Sequence, residues 1–147
     1  MKIASAFAAV VILALGTTAV SSQQDPIAAR KALMKSNGQA AGSLAKMVKG
    51  EAPFDLPTTQ KAFATFEDAA AKMPALFPDN SKSGGETTAA PKIWEDMADF
   101  KARFVKFGSD AKVTSASVKD LDSLKKSFPE FGKNCGGCHE LYRIKKS

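Results

Sequence analysis

The chain has 147 residues, and 21 Lys and Arg against 15 Asp and Glu give it a net charge of +6. That length bounds it to about one domain. The charge is too diffuse for a nucleic-acid surface, because the one tight basic group, Arg143, Lys145 and Lys146, has no interleaved aromatics and suits the end of a helix.

The first 22 residues read as an export signal. Lys2 supplies the positive start, Ala6 to Leu15 form an uncharged apolar run, and Val20 and Ser22 are small enough for positions −3 and −1 of a cut before Gln23. The run is shorter than the roughly 20 apolar residues a spanning helix needs. The mature chain is therefore expected to be residues 23–147, periplasmic, without a membrane span. Losing Lys2 lowers its net charge from +6 to +5.

Asp25-Pro26 predicts a helix start, an N-cap followed by Pro at the first helical position. That helix runs to Lys49, with Gly50 as its stop. Ile27, Met34, Ala41, Leu44 and Val48 share one stripe. Gly38 and Gly42 remove bulk, either for a flat group or for a second helix. A second helix is predicted over Pro57 to Phe77, with Pro74 ending or kinking it. Residues 78–90, rich in Ser, Gly and Thr, read as a flexible surface loop. Pro91 opens a third helix carrying Ile93, Trp94, Met97, Phe100, Phe104 and Phe107, which ends at Gly108 or continues toward Val113. The fourth starts near Ser117 and runs to about Lys145, with Leu121, Leu124, Phe128, Phe131, Cys135, Cys138, His139 and Tyr142 inward and a kink or break expected at Pro129. No segment alternates like a strand. Four amphipathic helices with three connections predict an all-α, antiparallel, up-down-up-down four-helix bundle.

Cys135-Gly136-Gly137-Cys138-His139 fits the haem-attachment pattern Cys-x-x-Cys-His. Residues at i, i+3 and i+4 share a helix face, so two thiols can form thioethers with the two haem vinyl groups while the imidazole meets the iron. Three rivals fit less well. A thioredoxin-like pair sits at a helix start beside a strand, a structural zinc site wants four protein ligands, and a disulfide closing so small a loop stabilises little. The reading is one covalently attached haem c, near one end of the bundle. With a single His in the chain, bis-histidine ligation and a second such haem are both excluded. The other axial position falls to Met, another weak donor, water or nothing. Met34, Met47, Met73 and Met97 follow the signal. Each also suits core packing, and spacing does not choose among them.

The C-terminal motif on this helical pattern resembles the class II cytochromes c, the cytochrome c-prime superfamily. The likeness is carried by Arg30-Lys31-Ala32-Leu33-Met34, by Met47 through Asp55, by Leu76-Phe77-Pro78, by Pro91-Lys92-Ile93-Trp94, and by Gly132-Lys133 leading into Cys135. The superfamily has a high-spin, five-coordinate branch that binds nitric oxide or carbon monoxide, and a low-spin branch with a first-helix Met on the iron. The segment from Gln23 to Gly38 is similar to the low-spin branch, which places Met34 as the ligand opposite His139. Some high-spin members also carry Met at this position without using it. The resemblance further implies that Arg30 pairs with a haem propionate, that Trp94 packs on the haem, and that Arg143 lies beside the proximal imidazole. For the two arginines a solvated surface position is the plainer alternative, and for Trp94 it is core packing. The function implied is one-electron transfer to redox partner proteins, without enzyme activity. The alternative is a high-spin gas binder. A homodimer across the first two helices, as in many relatives, is compatible with the sequence.

Overall fold

The computed structural model describes residues 25–145, so the export-signal reading lies outside the described residues. Helix α1 spans Pro26–Lys49. The Asp25 side chain accepts from the Ile27 N–H at 2.9 Å. At the other end Gly50 is left-handed at φ 76°, and the Gly50 and Glu51 N–H groups donate back to the carbonyls of Met47 and Lys46, which satisfies carbonyls the helix leaves open.

Helix α2 spans Leu56–Lys72, capped by Asp55. It ends earlier than the periodicity predicts. Pro74 lacks an N–H and cannot continue the ladder, so Met73–Leu76 tightens into a 3-10 turn. The predicted third helix divides: α3 is one turn, Lys92–Glu95, and α4 runs Met97–Ser117. Asp96 breaks the helix at φ −136°, ψ 60°, and its side chain caps the new start by accepting from the Asp99 N–H. Helix α4 passes through Gly108 without stopping. A Cβ there would lie 3.0 Å from that of Ala70, so this glycine permits the close approach of α2 and α4. Helix α5 spans Leu121–Tyr142, starting after the Ser117 that ends α4. It opens with a reciprocal cap between Asp120 and Ser123 and continues unbroken through Pro129.

The four long helices form an antiparallel four-helix bundle. There is no strand among the described residues, only an isolated antiparallel bridge between Ala89 and Arg143. Apolar side chains gather in two clusters. One holds Leu44, Met47, Phe63, Phe66, Leu124 and Phe131. The other, toward the opposite end of α5, holds Ala70, Met73, Ile93, Phe100, Phe104 and Tyr142. Helices α1 and α5 pack sparsely against each other, in contrast to α2 with α4. Gly38 and Gly42 face open space, so neither admits a second helix of this chain. No described helix is long and apolar enough to cross a membrane.

The 78–90 segment is not the loose loop its composition predicts. Ser81 is 1% exposed, and Arg30 bonds three residues between Leu76 and Thr87.

Candidate haem-attachment site

Helix α5 is held to the bundle by Leu124, Phe131 and Tyr142, the residues it buries. At about 100° per residue, Cys138 falls within roughly 20° of Phe131 around the helix, Cys135 about 40° away and His139 about 80°. All three belong to the apolar side, as the sequence implies. In the protein chain by itself Cys135 and His139 are exposed and Cys138 is half-buried. Helices α1 and α5 pack sparsely against each other, which leaves room along this side of α5. Cys138 alone reaches the second cluster, where Leu33 of α1, Phe77, Trp94 and Met97 also pack.

The chemistry of the donors suits haem. Neighbouring atoms desolvate both thiols and raise their pKa, although Cys135 keeps an exposed surface, and at Cys138 Arg103 opposes the rise; redox-active cysteines are held low instead. His139 is exposed as a residue, yet partial desolvation, and then the Arg143 charge, lowers its pKa. That favours the neutral imidazole, the form that ligates metal. Among the described residues no His, Cys, Asp and Glu side chains converge as a three-ligand metal cluster. Two neutral thiols and a neutral imidazole on the apolar side of α5 fit a flat cofactor held covalently by this helix.

Beside it lies a network that the motif does not reveal. The buried Tyr142 hydroxyl donates to Asp99 at 2.5 Å, and Arg103 Nε donates to the same oxygen at 2.6 Å. The Asp99–Arg103 spacing of four residues was legible as a helix-face pair, but not its bond to Tyr142. Arg103 and Tyr142 together hold the Asp99 carboxyl below the usual range, while burial and then Asp99 push Tyr142 up to about 12. The folded protein therefore keeps the phenol proton where the unfolded chain, near pH 10, has lost it. This contribution to stability is whole below pH 10 and is lost as pH rises toward about 12. The chain has one tyrosine, so the NMR shift of its ring carbons should report a midpoint well above 10 in the folded protein, and Asp99→Asn should lower that midpoint.

The structure sorts the methionines. Met47 is buried and its sulfur accepts from the Thr59 hydroxyl. Met73 is fully buried, and Met97 packs against the second cluster. Met34 is 36% exposed, next to the Leu33 that reaches the same cluster as Cys138. Trp94 is half-buried, donating its indole N–H to the Phe77 carbonyl at 3.1 Å. Arg143 is exposed and its backbone makes the bridge to Ala89. Arg30 is not a solvated surface residue: it is 5% exposed, its two terminal nitrogens donate to Leu76, Ser81 and Thr87, and only its Nε–H is left for another acceptor.

Two grooves are open. One, about 600 Å³ between α4 and α5, touches Cys138 but not Cys135, and charged Arg103, Lys106 and Asp110 line it beside apolar Val113 and Phe131. The other, about 330 Å³, lies between α1 and α2.

Comparison with known proteins gives the same direction. A cytochrome c' from Rhodopseudomonas palustris is 44% identical over 136 residues, covering 92% of this chain and 93% of the relative. A cytochrome c-556 from the same organism is 35% identical, covering 91% and 93%. The solved structure of a cytochrome c' from Rhodopseudomonas palustris superposes with a TM-score of 0.82 at 46% identity, over 85% of this chain and all of that one. With the Cytochrome C' family model matching residues 25–143, the chain belongs to the cytochrome c' family, the monohaem cytochromes with covalently bound haem c.

Proposed function

We propose that this cytochrome is a periplasmic one-electron carrier whose haem is low-spin, with His139 and Met34 as axial ligands. The observation that carries the reading is the state of the methionines: among the described residues Met34 is the one large exposed apolar side chain that offers a sulfur, and its neighbour Leu33 shares a cluster with Cys138. Bound haem supplies the ferric–ferrous couple. Cys135 and Cys138 would hold it as thioethers and His139 would supply one iron ligand. The soft sulfur of Met34 favours the reduced state and raises the potential. A covalent hold and two fixed ligands keep reorganisation small, which suits a carrier, and no residue set for substrate chemistry is needed. Trp94 packs near the ring, Arg143 lies beside the proximal imidazole, and the Arg30 Nε–H is the donor left for a propionate.

An optical spectrum of the purified protein in both oxidation states tests this. A near-infrared band from sulfur-to-ferric-iron charge transfer is expected. A high-spin ferric spectrum, unchanged in Met34→Ala, would overturn the reading in favour of a five-coordinate binder of nitric oxide or carbon monoxide, which the 44% identity to a cytochrome c' supports. Mass spectrometry checks the attachment: the Cys135→Ala/Cys138→Ala double variant should lose all covalently bound haem mass. The same measurement on the exported protein should place its N-terminus at Gln23, leaving residues 23–147 as the bundle domain. Sedimentation should report whether the uncovered α1 surface at Gly38 and Gly42 is shared with a second copy.

A further inference from the structure

The two proposed axial ligands sit on α1 and α5, which pack sparsely against each other. What joins them is the segment 76–90. At its first end stands Arg30, one turn before Met34. Arg30 Nη1 donates to the Leu76 carbonyl at 3.0 Å and the Ser81 hydroxyl at 2.8 Å, and Nη2 donates to the Ser81 carbonyl at 2.9 Å and the Thr87 hydroxyl at 2.6 Å. Its guanidinium lies 4.6 Å from the centre of the Phe77 ring. The segment also lies against α1 a turn earlier: a Cβ on Gly85, at φ +53°, would come within 2.9 Å of Ile27.

At its other end the segment is bonded to the last turn of α5, one turn after His139. The Ala90 N–H donates to the Tyr142 carbonyl at 3.0 Å, and the Ile144 N–H donates to the Thr88 carbonyl at 2.8 Å. Thr87 connects the two ends, because its hydroxyl oxygen receives both Arg30 and the Ala89 N–H. Arg30 is buried and makes no ion pair with a described carboxylate within 4 Å. Its charge is compensated by these neutral oxygens, the Phe77 face and the more distant Asp25 carboxylate, and removing an acceptor from a buried cation costs more than removing a surface hydrogen bond.

We propose that residues 76–90 form a strap that sets the spacing of α1 and α5, and that Arg30, fastened through Ser81 and Thr87, is a positioning residue holding Met34 within reach of the axial position. This rests on the reading of Met34 as a ligand. It also differs from a propionate role for Arg30, since Ser81 and Thr87 act only through the strap.

The test is the Ser81→Ala/Thr87→Val double variant of the haem-loaded protein, compared with Lys31→Ala, which loses only the exposed contacts of Lys31 with Gly85 and Glu86. The double variant should keep its covalent haem mass and helix content yet lose at least about threefold of the ferric sulfur–iron band, as two charge-assisted bonds are removed. Its reduction potential should fall, and Lys31→Ala should match the parent in both. A double variant that melts earlier but keeps the parent's band and potential overturns the proposal. If the parent itself shows no such band, the ligand reading fails, and the strap is judged by spin-label distances across Lys35→Cys and Leu141→Cys in the reduced protein. A broader or longer distribution in the double variant upholds the strap, and an unchanged one overturns it.

Discussion

Replacing Met34 with alanine is expected to change the haem and leave the fold almost untouched. The side chain is 36% exposed, so truncation removes less buried surface than at Met47 or Met73. A cost below the roughly 2–5 kcal/mol of a fully buried methionine is expected. The spectrum should respond in full: the sulfur–iron band disappears, the ferric form becomes high-spin, the potential falls, and the ferrous form binds carbon monoxide readily. Met47→Leu and Met73→Leu provide the contrast. Both residues are buried, and a volume-conserving swap costs less than about 1.5 kcal/mol, with no change in the band. Optical titration of the three variants beside their urea midpoints separates a ligand from a packing residue. A Met34→Ala protein with the parent's spectrum would remove Met34 from the iron.

Phe131→Ala is expected to be the most damaging single core change near the site. Phe131 is 4% exposed and touches three other rings: Phe63 and Phe66 of α2 and Phe107 of α4, with centroids 5.2, 5.1 and 5.4 Å away. It ties α5 to two helices one turn before Cys135. Truncating a buried Phe costs about 3–5 kcal/mol, a large share of the ~5–15 kcal/mol that holds an ordinary domain folded. A fall in Tm of roughly 10–20 °C follows for a bundle of this size. Calorimetry of the haem-loaded protein checks it. Phe131→Leu, which keeps most of the volume, should recover more than half of the loss. A fall of only a few degrees for the alanine variant would mean that the ring cluster does not hold α5 in place.

Local chemistry made much of this protein legible. The ends of α1 were written in Asp25-Pro26 and Gly50, because a capping oxygen, a residue without an N–H and a residue free to turn left-handed act within a few residues of themselves. Pro74 announced the end of α2 for the same reason. Where a break depended on a weaker signal, the reading slipped. Asp96 separates α3 from α4, although an Asp between Glu95 and Met97 carries no mark that distinguishes it from a solvated helix residue until its side chain is seen accepting from Asp99. At Pro129 the sequence allows a kink or a break, and the structure excludes the break: α5 runs through it, held on either side by Leu124 and Phe131.

The sequence by itself determined the candidate attachment motif and its limit: Cys135, Cys138 and His139 stand at helical spacing, and with no second His in the chain they fit one haem of this type. Tertiary structure decided the rest. Spacing gave the four methionines equal standing, and only burial parts Met34 from Met47 and Met73. Composition made residues 78–90 a loose loop, and only the reach of Arg30 across the chain to Leu76, Ser81 and Thr87 shows a fastened one. Periodicity put Cys135, Cys138 and His139 on the apolar side of α5, but it cannot say how much room that side keeps. That depends on how closely α1 packs against α5, which here is sparsely, a long-range distance that no local pattern encodes.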